Sequence, residues 1–222
     1  EVDRFYAEVS GKFPENILIV PSQDNAKAYS IIAGYWIAHM PEPILFVTED
    51  DIPELTKKAI EKREQPHLYV VGPSSIISHK VEEKLQELGK VTRIEGNNAE
   101  GTSIAFTTFK DSESGFGWGI NNPGHGFSFI SYETPELGLI TTPFAHLGKH
   151  VPLLYLQDGK LSNEMTRYLA KVKPTFSTSP MSGPYNHGFI FGSLTEISYD
   201  LQGTIDSKLE IEQADGHGHG IH

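Results

Sequence analysis

The sequence contains no cysteine among its 222 residues. That absence excludes disulfide bonds, thiolate metal sites, iron–sulfur clusters and a cysteine nucleophile. Basic residues are also few, since 18 Lys and Arg stand against 29 Asp and Glu and give a formal net charge of −11. Binding to a phosphate backbone or an anionic membrane needs clustered Lys and Arg, so this balance argues against nucleic acid and anionic lipid as partners.

Long hydrophobic runs are missing as well. The longest apolar stretches, such as 44–47 and 151–156, are far shorter than the roughly 20 residues of a membrane-spanning helix. Hydrophobic residues still make up 38% of the chain, which is enough for a folded core and excludes bulk disorder. The chain begins at Glu1 rather than Met, from which we expect a processed, exported protein in the extracellular space, at the cell surface or in the periplasm.

Catalytic sequence motifs are also absent. The chain has no Gly-x-Ser-x-Gly elbow, no His-Glu-x-x-His pair and no Gly-x4-Gly-Lys-Ser/Thr loop, which are common signatures of hydrolases, zinc peptidases and nucleotide-binding enzymes. The glycines of 115–119 have the wrong spacing for a dinucleotide-binding turn and no predicted strand before them. We therefore expect a protein that is not an enzyme.

Short apolar runs alternate with segments of helical periodicity in the first half of the chain. The apolar runs predict strands covered on both faces, at 16–20, 44–47, 68–71 and 91–94. Helices are predicted between them, from about 26 to 39, 54 to 63 and 78 to 88. This alternation predicts an α/β fold with a mostly parallel sheet.

The second half repeats this plan. Pro43 and the apolar run after it correspond to Pro152, 109 positions later, and His67 corresponds to His187, 120 positions later. We therefore predict two tandem, similar, open α/β units of the Rossmann-like or flavodoxin-like kind. The predicted divisions are a first unit at 1–110, a Gly/Asn/Ser-rich linker at 111–126, a second unit at 127–213 and a His/Gly-rich tail at 214–222.

Four motifs follow one another in the first half: Ile-Leu-Ile-Val-Pro21-Ser-Gln-Asp, Pro43-Ile-Leu-Phe-Val-Thr, Leu-Tyr-Val-Val-Gly72-Pro-Ser-Ser and Arg93-Ile-Glu-Gly. In this order they resemble the cell wall binding repeat 2 family, over about 16–105 and, in outline only, over about 127–211. The resemblance implies an α/β module that is used in tandem on the surface of bacteria or archaea. It also implies that the module holds exported proteins on an envelope polymer.

The chain departs from that family in two respects. Ala99-Glu100-Gly101 precedes Thr102, where the family usually has Arg-Tyr, so an arginine contact to an anion is lost. The family commonly carries three copies, and this chain has two. The net charge of −11 also disfavours an anionic wall polymer as the ligand.

Polar side chains follow the predicted strands of the first unit, where the carboxyl ends of parallel strands usually meet a ligand. Their hydroxyls and carboxylates could bind sugar hydroxyls or a cation, and they are Ser22, Asp24, Thr48, Glu49, Asp50, Ser74 and Ser75. The alternative is that they cap the helices that follow.

Histidines give a second candidate site. Neutral imidazoles bind Zn, Cu or Ni, and the predicted metal ligands are His125, His187, His217, His219 and His222. The alternatives are a remnant of cloning for the three in the tail and a polar residue at a strand start for His125 and His187.

Phe116 and Trp118 lie between glycines, where they could form a stacking platform for a sugar, anchor a neighbouring subunit or pack on the sheet. Together these features predict a non-catalytic, exported cell-surface module that attaches to an envelope polysaccharide or takes part in surface assembly. The alternatives are a self-assembling surface or filament subunit, which would be a homo-oligomer, and a metal-binding exported protein.

Overall fold

A computed structural model describes residues 2–146 and 149–214. Four parallel strands form the first sheet, in the order β2-β1-β3-β4. They are β1 (Asn16–Pro21), β2 (Ile44–Val47), β3 (His67–Val71) and β4 (Lys90–Ile94). The sheet is buried on both faces, and this is why the apolar run of β1 is continuous rather than alternating.

The helix α1 (Val2–Ser10) precedes β1. Four further helices cover the two faces of the sheet and follow its four strands in turn: α2 (Lys27–Ile37), α3 (Glu54–Ile60), α4 (His79–Gln86) and α5 (Ala99–Thr108). Successive residues of β1 point to opposite faces. Ile17 and Ile19 pack in a small core under α3 and α4, whereas Leu18 and Val20 belong to the large core under α2 and α5. No helix within residues 2–146 and 149–214 is long and apolar enough to cross a bilayer.

The second sheet has three parallel strands in the order β6-β5-β8. They are β5 (Gly126–Ser131), β6 (Leu153–Leu156) and β8 (His187–Phe191), and a separate pair of short strands consists of β7 (Thr175–Phe176) and β9 (Glu212–Gln213). The helices of this half are α6 (Leu137–Ile140), α7 (Asn163–Lys171) and α8 (Tyr199–Leu209). The predicted α/β class with parallel sheets is confirmed.

The two sheets share their topology. In each, the first strand lies in the centre, with the second strand on one side and the third on the other. Asn16 is paired with His67 at the start of β3, and Gly126 is paired with His187 at the start of β8. The last strand of each half differs. In the first half β4 pairs with β3 and extends the sheet, whereas in the second half β9 pairs with β7 in a separate two-stranded sheet. This correspondence supports a duplication, and the exact boundaries given above stay a prediction.

The two halves share one continuous core. In it α2 packs against α6, and α5 packs against β6. The Tyr155 hydroxyl donates to the carbonyl of Ala28 at 3.2 Å, and the Tyr155 backbone N–H donates to Ser103 Oγ at 3.1 Å. Because these buried hydrogen bonds join the two halves, residues of both are held in fixed positions relative to each other.

Candidate functional site

The predicted ligand-binding side chains lie together at one edge of the first sheet. Ser22 and Asp24 follow β1, Thr48 to Asp50 follow β2, and Ser74 and Ser75 follow β3. These three strands are neighbours, with β1 in the middle. We call this set the carboxyl-edge surface, and all of its members except half-buried Ser74 are exposed.

None of these residues caps a helix. The residue before the short 3-10 turn Asp24–Ala26 is Gln23, α2 follows Ala26 directly, and α3 follows Pro53. Ser78, which is not in the set, precedes α4. The capping alternative is therefore wrong, because the helices begin several residues after the hydroxyls that were expected to cap them.

The backbone around the carboxyl-edge surface is held by a few specific bonds. Thr48 Oγ1 accepts a hydrogen bond from the Asp51 N–H at 3.0 Å and closes a tight loop after β2. The Ser78 N–H donates to the carbonyl of Glu49 at 2.8 Å and ties that loop to the start of α4. Of the seven side chains, only Thr48 enters a side-chain hydrogen bond within the described parts of the chain. The remaining hydroxyls and carboxylates are available to a ligand.

A nearby basic side chain is already paired. Lys84 contacts Asp51 at 2.5 Å, and the hydrogen bond from Lys84 lowers the pKa of the Asp51 carboxyl below its ordinary value. Asp24, Glu49 and Asp50 form no ion pair within residues 2–146 and 149–214, so the surface carries negative charge. Such a surface can accept hydrogen bonds from sugar hydroxyls and can donate them through its serines.

The equivalent edge of the second sheet is different. Ser131, at the end of β5, is buried, and its Oγ accepts a hydrogen bond from the Glu133 N–H at 3.2 Å. Asp158, after β6, has a φ of 55° in the turn that joins Gln157 to Lys160. After β8, Ser193 and Thr195 are exposed, but the Ser193 hydroxyl is hydrogen-bonded to Thr195 and Glu196, so the hydroxyls of the second edge are engaged with one another, unlike those of the first.

The histidines predicted as metal ligands are only partly placed. His125 precedes β5 and His187 begins β8, and the His187 N–H donates to the His125 carbonyl at 2.9 Å. Both lie at the amino-terminal edge of the second sheet, as expected for strand starts. His217, His219 and His222 lie outside the described residues, so the five-histidine site stays a prediction.

A different group of histidines comes together in the fold. His39 follows α2, His146 ends a 3-10 turn after α6, and His150 precedes β6. Ring-centre distances are 4.8 Å between His39 and His146 and 4.7 Å between His39 and His150. Among residues 2–146 and 149–214, no group of three or more His, Asp or Glu side chains could hold a metal ion. These histidines were not predicted as a group from the sequence, although His39 and His146 precede the equivalent strands β2 and β6.

Phe116 and Trp118 are part of the core. Their exposed fractions are 1% and 7%, and both rings contact Trp36, with ring centres 4.9 and 5.0 Å away. Phe116 also stacks on Tyr69 at 3.8 Å. The hypothesis of an exposed stacking platform for a sugar is wrong, because ordinary packing uses both side chains.

Comparison with solved structures finds the same fold in two proteins of Clostridium difficile. Cwp8 has a TM-score of 0.66 and 18% identity over 98% of this chain and 34% of its own length. Cwp6 has a TM-score of 0.69 and 15% identity over 96% of this chain and 31% of its own. The chain thus spans about one third of the length of each relative. No known protein family and no curated protein matches the sequence, so the kinship to cell wall binding repeat 2 stays a prediction.

An apolar groove lies beside β2, the outermost strand on one side of the first sheet. It has a volume of about 480 Å³ and is formed by α1, the end of α2 and the strand β2. Tyr6, Ile37, Met40 and Ile44 are among its lining residues. Strand β2 is an edge strand, and its Phe46 is 48% exposed.

Proposed function

We propose that this chain is a non-catalytic module of an exported protein that attaches to a polysaccharide of the cell envelope. The carboxyl-edge surface is the proposed binding site. The observation that carries the proposal is that three neighbouring strands end in exposed hydroxyls and carboxylates that no helix uses as caps. In parallel α/β sheets, this edge is where ligands bind.

The charge of the site selects the kind of polymer. Asp24, Glu49 and Asp50 add negative charge to a chain whose net charge is already −11, and like charges across an interface cost several kcal/mol. A polymer rich in phosphate or uronate is therefore disfavoured. We propose a neutral or amino-sugar polymer, whose hydroxyl and ammonium groups donate hydrogen bonds to carboxylates.

The location and the absence of catalysis belong to the same proposal. The fold is shared with Cwp8 and Cwp6, whose likeness supports a role at the cell surface, outside the cytoplasm. The lack of the common catalytic motifs in the sequence supports a binding role rather than turnover. A fold alone does not specify chemistry. The experiment therefore substitutes residues of the carboxyl-edge surface itself.

The experiment measures cosedimentation of the protein with purified neutral envelope polysaccharide. The variant combines Asp24→Asn, Glu49→Gln and Asp50→Asn. The matched control removes three exposed carboxylates that follow α3 and α4 and precede β3 and β4, near the amino-terminal ends of these strands, by Glu61→Gln, Glu64→Gln and Glu87→Gln. We expect at least a tenfold weaker affinity, equivalent to about 1.4 kcal/mol, in the first triple variant and no change in the control. Equal affinity of both variants would disprove the site, and no binding by the unmodified chain would disprove the function.

Self-assembly is the second candidate function, and the apolar groove favours it. An exposed edge strand beside an apolar groove is a common place for a second copy to add. We expect light scattering to show oligomers at rising concentration, and expect Ile37→Ser with Phe46→Ser to abolish them. Leu194→Ser, at another exposed apolar position, is the control. A chain that stays monomeric at high concentration excludes this candidate.

A further inference from the structure

The outer side of β8 is an open sheet edge. Strands β3 and β8 are equivalent, since His67 and His187 begin them 120 positions apart. In the first sheet β4 pairs with the outer side of β3, whereas within residues 2–146 and 149–214 no strand pairs with the outer side of β8. Four of the five residues of β3 are buried, but none of the five residues of β8 is. The segment equivalent to β4, at 210–214, contains β9 and pairs with β7 instead.

The pairing of β4 with β3 shows which backbone groups such an edge offers. The Lys90 N–H donates to the carbonyl of Pro66 at 2.9 Å, and the Gly72 N–H donates to the carbonyl of Ile94 at 3.0 Å. Between these two bonds, alternate residues of β3 direct their N–H and C=O groups toward β4. The same side of β8 should therefore carry the same set of donors and acceptors.

The equivalent groups of β8 have no partner. The Asn186 carbonyl and the Gly192 N–H stand in the places of the two terminal groups of β3, and neither forms a hydrogen bond within the described residues. The His187 N–H donates toward β5, so the alternation of the strand directs the backbone groups of Gly188 and Ile190 outward. An edge with such unpaired groups can accept a further strand.

Both faces of this edge carry apolar surface. On one face Phe189 and Phe191 are half-buried against Phe144, with ring centres 5.1 and 4.9 Å apart. On the other face Gly188 and Ile190 line a groove of about 220 Å³ between β8 and α8. A strand added at this edge would bury apolar atoms on both of its own faces, as alternate side chains of a strand require.

The charge of the edge selects its occupant. Asp206 and Glu210 line the groove, are exposed and form no ion pair within the described residues. Lys173 approaches α8 at the Ser207 carbonyl but is paired with Glu212. A second copy of the chain, with its own net charge of −11, would bring like charge to this edge. A segment that carries Lys or Arg complements it.

We propose that the open edge of β8 binds an extended, basic segment of a partner protein, which adds to the sheet as a fourth parallel strand. Main-chain hydrogen bonds to Gly188 and Ile190 supply affinity, and alternate side chains supply specificity. Lys or Arg of the segment pairs with Asp206 and Glu210. This interaction does not depend on polysaccharide binding at the carboxyl-edge surface.

The probe is a synthetic peptide of residues 88–95, because it contains β4, which combines two basic and three β-branched residues and fills the equivalent edge. We expect NMR titration of the full chain to show binding, with slower amide exchange at Gly188 and Ile190. Methylation of the peptide at the Thr92 nitrogen, whose N–H faces β3 in the folded chain, should weaken binding at least tenfold. Methylation at the Val91 nitrogen, which faces the other way, is the matched control and should leave binding unchanged.

Substitutions in the chain test the charge complementarity. Asp206→Asn with Glu210→Gln should weaken peptide binding about three- to tenfold, because exposed ion pairs contribute little individually. The matched control, Asp200→Asn with Glu87→Gln, neutralises two exposed carboxylates outside the groove and should change nothing. Equal weakening by the two pairs would show an effect of net charge alone and would overturn the proposal.

Other results would also overturn it. No binding of the unmodified peptide at millimolar concentration, or equal binding of the two methylated peptides, would exclude strand addition at this edge. Dimers of the chain alone that the peptide dissociates would make a second copy the occupant. At least tenfold tighter peptide binding by a chain that lacks 215–222 would make this chain's own end the occupant.

Discussion

The Tyr35 hydroxyl lies 2.5 Å from Thr141 Oγ1, in a hydrogen bond between residues 106 positions apart. Lys27 pairs with Glu136 at a separation of 109 positions, and His39 meets His146 at 107. These separations nearly equal the 109 positions between Ile44 and Leu153, which begin β2 and β6. Corresponding positions of the two halves thus face each other, as residues near a local twofold axis do.

The buried Tyr35 hydroxyl should stabilise the contact between the halves. Tyr35→Phe is expected to lower the free energy of unfolding by about 1 kcal/mol, because a buried hydrogen bond is lost. Thr141→Ala should have a similar effect, and the double variant should cost less than the sum of the two. Urea unfolding measures all three. Tyr199→Phe, at a side chain that is 73% exposed, should change nothing, and additive effects of Tyr35 and Thr141 would contradict the coupling.

Gly138 allows α6 to approach α2. A Cβ at this position would clash with Ile31 Cγ2 and lie 3.2 Å from Leu153 Cδ1. Gly138→Ala should therefore destabilise the protein by about 1–3 kcal/mol through overpacking. Gly203→Ala is the matched control, because Gly203 lies inside α8 with no atom within 4 Å of the added Cβ, and it should stabilise by about 0.5–1 kcal/mol. Thermal melting compares the two, and equal shifts would refute the close contact.

The strands could be predicted more precisely than the helix ends. The predicted strand 16–20 matches β1 at Asn16–Pro21, because a run buried on both faces leaves a continuous apolar signal. The predicted helix 26–39 is α2 at Lys27–Ile37, preceded by a 3-10 turn. Periodicity reports which face is buried, whereas the ends depend on local backbone bonds that it does not encode.

Contacts between the halves were not predictable from periodicity. The repeated motifs are visible in the sequence, yet the histidine cluster depends on how α2 packs against α6. That packing is set by tertiary contacts, which the periodicity of one segment does not encode. Thr48 shows the limit of local chemistry, because a hydroxyl before a predicted helix suggested a cap, while the structure uses it to close a loop with Asp51. Placing the seven residues of the carboxyl-edge surface at one edge required only that the strands be parallel, which the α/β pattern predicts; that the three strands are neighbours comes from the structure.

Phe116 should be required for the fold rather than for binding. It is buried between Tyr69 and Trp36, so Phe116→Ala should cost about 3–5 kcal/mol of stability. Phe116→Leu keeps most of the apolar volume and should cost much less. Polysaccharide binding by Phe116→Leu, measured at a temperature where it stays folded, should equal that of the unmodified chain. A selective loss of binding without loss of stability would restore the stacking role.

Glu100 should make stability depend on pH. It lies in the first turn of α5 with only 4% of its surface exposed, and its Oε1 has no hydrogen-bond partner within the described residues. Burial above all raises the pKa of the Glu100 carboxyl above its ordinary value; hydrogen bonds from Ser162 oppose this shift, and the charges of Glu164 and Asp158 add to it. The folded chain therefore holds this proton more tightly than the unfolded chain does, so stability is fully present below the unfolded pKa and is lost as pH rises through the folded pKa.

Glu100→Gln tests that sign directly. The variant keeps the shape of the side chain and removes the charge, so it should be more stable than the unmodified chain at neutral pH. The advantage should shrink as pH falls and disappear below the ordinary pKa of a glutamate, about 4.3. Urea unfolding at a series of pH values measures it, with Glu83→Gln on the exposed face of α4 as the control. An advantage that stays constant with pH would show that the buried carboxylate is not its source.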